Sequence, residues 1–371
     1  MEFRRPDIRR ISLLLFLALI TTSCHWFHPR PLSEAKRHEL AVRFQTAVAE
    51  AGGGQVWIKH PTRWRHGHGP TDTSLQVLAN PAAYQAVLFC VQEEADKENL
   101  EFRFTVTASG GERNPALLEV TRQGQGIIQI QLKEVPRLLR AVIVIDDMGG
   151  DLEAARQLLA LDYPLTFSVL PYLRYTRATA QEVHRRGREV MLHLPMEPEA
   201  GAHASAGEGA ILVGMNAAEV QRVVLNDLAC VPYAAGVNNH MGSRATQDAA
   251  LMADVMKILA DQRLYFIDSR TTAASRALEA AHSQSLPAFY RTVFLDNKET
   301  VPYTLGQLRE FRRKVEQEGV ALAIGHPHAT TIAALAKFLP ELEGADIELV
   351  APSQIVHEPE IARLRPPIST N

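Results

Sequence analysis

Residues Ala141 to Gly149 read AVIVIDDMG: five apolar residues running into two aspartates, a methionine and a glycine. An apolar run this short, with no polar alternation, predicts a strand buried on both faces. A helix follows from Asp151 to Leu161, with Asp151 as N-cap and Leu152, Ala155, Leu158 and Leu159 on one face. The alternation then repeats. Strands are predicted at Leu165–Leu170, Glu189–Leu192, Ala235–Asn238, Leu264–Ile267, Phe289–Leu295, Ala321–Ile324 and Ile347–Val350. Helices are predicted between them at Thr176–Arg186, Asn216–Leu228, Gln247–Asp261, Thr272–His282, Thr304–Glu318 and Thr330–Leu339. Strands alternating with helices build a parallel sheet with helical crossovers. About seven such units predict a closed or nearly closed β/α barrel.

Most of these strands stop at a polar residue. The ends carry Asp146-Asp147, His193 with Glu197 beyond it, Asn238-Asn239-His240 with Ser243, Asp268-Ser269-Arg270, Asp296-Asn297 and Gly325-His326-Pro327-His328. Taken singly, an aspartate after a strand is commonly a helix cap, and a histidine in Gly-His-Pro a turn residue. In a parallel barrel, however, all the C-terminal strand ends converge on one face. Carboxylates and imidazoles gathered there are candidates for metal ligation and proton transfer.

The stretches IDDMG (145–149), HLPMEP (193–198), NNHMGS (238–243), FIDS (266–269), FLD (294–296) and IGHPH (324–328) resemble the NodB-like polysaccharide deacetylases. They are closest to the divergent, YibQ-like branch, over about Ala141 to Val356. The resemblance implies a distorted (β/α) barrel of about seven parallel strands and metal-dependent release of acetyl groups from a glycan. It implies that Asp146 is the general base, Asp147 a metal ligand, His193 the first metal histidine and His326 the general acid, with His328 a competitor. The family's second metal histidine is missing from its usual place. His240 on the next strand end and Glu197 both stand near it; His240 better preserves an Asp-His-His set for a divalent metal, with zinc the expected ion.

Asp268 is expected to orient a histidine. Glu197, Asn239, Ser243, Asp296 and His328 are candidate sugar-binding groups, although a helix cap would serve Ser243 and a helix cap or salt bridge Asp296. Tyr172, Tyr175 and Met196 could stack on a glycan or simply pack. The alternative to an enzyme is a cell-envelope protein that binds glycan or a partner protein through the same fold.

Working outward, the 371-residue chain is longer than one core usually holds. Residues 33–135 read as a small α+β domain of no evident chemistry, joined to a barrel at 138–358, with a tail at 359–371. Its expected elements are a helix from Ser33 to Ala51, a strand Gln55–Lys59, a helix Pro81–Asn99, and strands Glu101–Ser109, Leu117–Arg122 and Gly126–Leu132. His60, His66 and His68 lie in an Arg-, His- and Gly-rich loop without metal-site spacing. Cys90 and Cys230 have no CxxC partner and are expected as free thiols. Residues 1–24 combine Arg4, Arg5, Arg9 and Arg10 with an apolar run at Ile11–Ile20 and small residues ending in Cys24, the layout of a secretion signal. Residues 25–32 read as a linker. Lipidation of Cys24 would anchor the protein on the periplasmic side of a membrane. A net charge of -3 without a basic face excludes nucleic acid as the partner.

Overall fold

A computed structural model of the protein describes residues 32–59, 74–106, 115–199 and 206–358. The expected secretion signal, most of the expected linker, the His60–His68 stretch and the tail lie outside the described residues.

The first unit begins with α1 (Glu34–Gly52), capped by the Ser33 side chain and closed by Gly53 in the left-handed region. It continues through β1 (Val56–Lys59), β2 (Ser74–Ala79), α2 (Pro81–Lys97), β3 (Glu101–Val106), β4 (Ala116–Arg122) and β5 (Gln125–Glu134). The sheet order is β1-β2-β5-β4-β3, antiparallel except between β2 and β5. Ala116, Leu118 and Val120 of β4 alternate inward, the period-two pattern of a sheet covered on one face. They meet Leu40, Phe44 and Val48 of α1 and Val87 and Val91 of α2 in one apolar core. Strand β2 was not expected from the sequence: SLQVLA is short and its alternation fails at Leu78-Ala79, both buried.

The second unit runs through β6 (Leu139–Met148), α3 (Leu152–Ala160), β7 (Thr166–Val169), α4 (Thr176–Arg185), β8 (Val190–Met196), α5 (Ala217–Cys230) and β9 (Ala234–Met241). It continues with α6 (Ala249–Asp261), β10 (Tyr265–Asp268), α7 (Ala277–Ser283), β11 (Ala288–Tyr290), β12 (Val293–Phe294), α8 (Val301–Glu318), β13 (Val320–Gly325), α9 (Ala329–Gly344) and β14 (Ile347–Leu349). The curled sheet has the order β11-β10-β9-β8-β7-β6-β13-β12, every pair parallel, with β14 added beside residues 139–141 of β6. Residues Ala141–Ile145 are fully buried, as a strand covered on both faces requires.

The single strand expected at Phe289–Leu295 is two strands, β11 and β12, lying at opposite edges of the sheet. Eight strands therefore form the curled path. Arg291 and Thr292 carry the chain from one edge to the other. The Arg291 N–H donates to Asp268 O at 2.9 Å and the Thr292 N–H to Leu322 O at 2.8 Å. Two residues thus stitch the seam that a full ladder would otherwise close. Helix α7 is also shorter than expected, because residues 270–276 form a loop tied to Asp268 by Ser275.

The two units meet at their edges. Asp346 receives Lys59 and Lys133, each at 2.9 Å, and Arg140 reaches Gly54 O, Glu348 and Glu358.

Candidate active site

The C-terminal strand ends of the barrel surround a cavity of about 360 Å³. It is within the range of small-molecule sites. Strand β6 delivers its two aspartates through a break in its pairing with β7 between Ile145 and Met148. Asp147 takes a left-handed backbone, φ 56°. In a regular strand neighbouring side chains face opposite ways; the bulge brings both carboxylates to the mouth. Gly149 follows at φ 111°, where a side chain would press on the Thr176 backbone. Met241 and Arg270, at the ends of β9 and β10, are also left-handed and also line the cavity. Non-glycine residues in that region are strained and persist where their surroundings hold them.

Asn238 organises the interior. It is fully buried, and each of its side-chain atoms is used. Its Nδ2 donates to Asp146 Oδ1 at 2.8 Å and Ser269 Oγ at 3.1 Å. Its Oδ1 lies 2.8 Å from His193 Nδ1 and accepts from Ser168 Oγ. An amide oxygen only accepts, so Nδ1 carries the proton and Nε2 turns its other side to the cavity.

There His193 Nε2, His240 Nδ1 and Asp147 Oδ1 form a triangle: 3.2 Å from His193 to Asp147, 3.0 Å from His240 to Asp147 and 3.2 Å between the two nitrogens. Asp147 Oδ1 is buried and, despite these short approaches, receives no hydrogen bond of acceptable angle. Three ligand atoms on a tetrahedron around an ion at roughly 2.0–2.1 Å would stand about 3.3 Å apart. The donor set therefore fits a divalent cation, and a proton on an imidazole competes for the same place. Burial by itself would raise the Asp147 carboxyl, but His193 and His240 hold it well below the usual carboxylate range. For His193, burial works against the charged ring, and Asp146 and Asp147 outweigh it, so its affinity for a proton is raised.

Asp146 sits beside this triangle, its Oδ2 3.6 Å from His193 Nε2. Desolvation raises its pKa, and the neighbouring histidines only partly offset that. Across the cavity stands His326. Its Nδ1 is 2.9 Å from Asp296 Oδ1, its backbone N–H donates to Asp296 Oδ2 at 2.6 Å, and Thr331 Oγ1 donates to the same oxygen at 2.8 Å. Its Nε2 is 3.9 Å from Asp147 Oδ2. Burial opposes protonation of His326, yet Asp296, Asp146 and Asp147 together push its pKa up to about 9. Asp296, His326 and His328 also lie close enough together to surround a cation, but His326 Nδ1 is committed to Asp296.

The structure thus brings Asp146, Asp147, His193, His240 and His326 to one cavity and assigns other work to the remaining candidates. Asp268 orients no histidine: it accepts from Arg270 N at 2.8 Å and Ser275 Oγ at 2.9 Å. Asp296 has that role instead, and with both oxygens engaged it offers nothing to a sugar. Glu197 is no metal ligand. It accepts from Val213 N at 2.7 Å and from Arg244, and so folds the loop after β8. Ser243 receives Glu199 N at 2.9 Å in the same loop. Asn239 lines the cavity but bonds Met241 O and Ser269 N with its two ends. His328 lies 3.8 Å from Glu299, outside the triangle. Met196 is fully buried and packs rather than stacks.

Asn238, Ser168, Ser269, Arg291 and Thr331 were not singled out from the sequence. Only Asn238 and Ser269 stood in quoted motifs. The others are ordinary polar residues whose partners lie on different strands.

Comparison with known proteins places these residues in context. The model of the divergent polysaccharide deacetylase family matches residues 143–356. The protein YibQ of Escherichia coli K12 is 33% identical over 228 residues, covering 62% of this chain and 70% of YibQ. A Haemophilus influenzae protein is 36% identical over 211 residues, covering 57% of this chain and 74% of that one. Among solved structures, the Agrobacterium tumefaciens protein ATU2773 superposes with a TM-score of 0.56 at 25% identity, covering 58% of this chain and 89% of its own. The matched region includes all six strand-end motifs, and the chain belongs to the divergent polysaccharide deacetylase family.

Proposed function

We propose that the protein is an exported, metal-dependent hydrolase that removes acetyl groups from a glycan. The observation that carries this reading is the Asp147–His193–His240 triangle, flanked by buried Asp146 on one side and by Asp296-held His326 on the other. Asp147, His193 and His240 would hold a divalent ion, zinc by this donor set; bound there, it supplies Lewis-acid polarisation of the acetyl carbonyl and acidifies a water. Asp146, whose burial raises its proton affinity, accepts the proton of the attacking water. The water oxygen bonds to the acetyl carbon and the bond to the sugar nitrogen or oxygen breaks. His326, whose proton affinity Asp296 raises, delivers its Nε2 proton to that leaving atom, while Asp296 keeps the ring oriented and supports its charge. Asn238 holds the base and the first histidine in register from beneath.

The test is acetate release from a panel of N- and O-acetylated glycans by zinc-loaded protein, with and without chelator. Release that chelator abolishes and that Asp146→Asn lowers by roughly 10²–10⁴-fold supports the reading. No release from any substrate by metal-loaded protein sinks it. Export rests on the basic start, the Ile11–Ile20 apolar run and Cys24. Fractionation of cells expressing the full chain, with Cys24→Ser beside it, tests both export and anchoring.

A further inference from the structure

We infer that Arg270 determines specificity, selecting acetylated glycans that carry a carboxylate near the scissile acetyl group. This inference rests on the glycan reading above.

Arg270 lines the cavity, half-buried, at the end of β10. Its backbone is held from every side in a left-handed conformation, φ 51°, that arginine rarely adopts. Its N–H donates to buried Asp268, and Asp268 is steadied by Ser275. The Ser269 N–H before it donates to Asn239 Oδ1 at 2.9 Å. The carbonyls of Ser269 and Arg270 accept from the Arg291 Nε and guanidinium at 2.6 and 2.7 Å. Arg291 in turn lies over the Phe294 ring. Strain held this firmly at a cavity wall places a side chain for use. It also accounts for Asp268 and Arg291, which touch none of the groups that move protons but fix this turn.

The two arginines at the wall are engaged differently. Asp268 is the one carboxylate that both Arg270 and Arg291 influence. Arg291 also feels Asp146, which Asn238 already engages. The Arg270 guanidinium has no ion-pair partner among the described residues. Arg291 spends its donors on the Ser269 and Arg270 carbonyls, which leaves the Arg270 guanidinium as the cation of this wall with no fixed partner. One free, planar donor fork matches one monoanion, and a carboxylate is the monoanion it pairs with bidentately.

Binding is the direct test, measured by calorimetry on the zinc-loaded full chain. The probes are a tetrasaccharide of alternating N-acetylglucosamine and N-acetylmuramic acid, which carries carboxylates, and the neutral N-acetylglucosamine tetramer. The expected result is about tenfold tighter binding of the anionic sugar. Arg270→Gln should erase that preference without weakening the neutral sugar, and Arg270→Lys should restore part of it. Equal affinities in the wild type, or a parallel loss for both sugars in Arg270→Gln, overturn the inference and leave the glycan reading standing. If neither sugar binds the wild type, the glycan reading fails and this inference falls with it.

Discussion

Both sheets of this protein bury an apolar face, but the parallel sheet also buries polar and charged groups. Among the described residues, the buried polar side chains run from Asp146 to Thr331, all in the barrel unit. The five-stranded sheet buries aliphatic and aromatic residues against α1 and α2, and among the described residues none of this unit's polar residues is buried as a whole. Burying a polar group is unfavourable unless hydrogen bonds satisfy it. The barrel meets that requirement at Asn238, Asp268 and Asp296, each of which is bonded at both ends. Where it does not, at Asp147 Oδ1, the atom stands 3.0 and 3.2 Å from two imidazole nitrogens at the cavity wall. The difference teaches where the chemistry lies: one sheet is assembled to be stable, and the other accepts instability at its strand ends to hold reactive groups.

The sharpest way to break that comparison is to remove the unsatisfied oxygen. Asp147→Ala should lower zinc content from about one ion per chain to near zero and acetate release by at least about a thousandfold. It should leave the fold intact, because the Asp147 side chain is partly exposed at the mouth and lies outside the apolar core. Elemental analysis with circular dichroism checks both halves. Full zinc occupancy in Asp147→Ala would show that the triangle is not a metal site.

Asn238→Ala probes the satisfied groups instead. It strands Asp146, Ser168, Ser269 and the His193 Nδ1 proton at once, so a stability loss of about 3–5 kcal/mol is expected. Truncating Leu118 to Ala in the other sheet should cost about as much, but through a cavity and not through lost hydrogen bonds. Denaturant unfolding measures each, and Asn238→Asp separates them: it keeps the volume of Asn238 but places a second carboxylate against Asp146.

The apolar half of this contrast was legible in the sequence, and the polar half only in part. Runs such as Ala141–Ile145 and Ala321–Ile324 declare strands buried on both faces, and their polar ends mark the mouth. The partnerships across that mouth are set by which strands become neighbours, which local pattern does not encode. Asp268 and Asp296 both follow apolar runs and look alike. Only the position of β12 beside β13 puts Asp296 against His326. Asn238 and Asn239 are adjacent, and the strand period says that they face opposite ways without saying which faces in. The run Phe289–Leu295 hid a crossing between two sheet edges, because Arg291 and Thr292 resemble strand residues in isolation.

Away from the mouth, Asp227 on α5 tests whether buried charge is tolerated only where it is useful. It is fully buried, and desolvation pushes its pKa from 3.8 up to about 7, with the Tyr172 hydroxyl beside it opposing the rise and Glu208 adding to it. A carboxyl raised in the folded state favours folding at low pH, where it is protonated. That contribution is lost as pH rises from about 4 through 7. Asp227→Asn should therefore unfold at a higher temperature than the wild type at pH 8, by several degrees for about 2–4 kcal/mol. At pH 4 the two midpoints should converge. A constant difference across that range would mean that Tyr172 keeps the carboxylate charged or that the substitution acts by packing.

The smallest effect belongs to the boundary between the two sheets. Asp346 bridges them through Lys59 and Lys133, at 2.9 Å each. The lysines draw the Asp346 carboxyl below its ordinary value although burial opposes them. Yet Asp346 keeps a third of its side chain in water, and Lys133 is half exposed. Solvent screens such pairs, and each is worth no more than about 1 kcal/mol. Asp346→Ser should thus shift the unfolding midpoint by no more than a few degrees, and less at high salt. If the barrel's reactive groups are positioned from within, zinc content and acetate release should not change at all. A loss of either on breaking this distant pair would mean that the antiparallel sheet helps to set the geometry at the mouth.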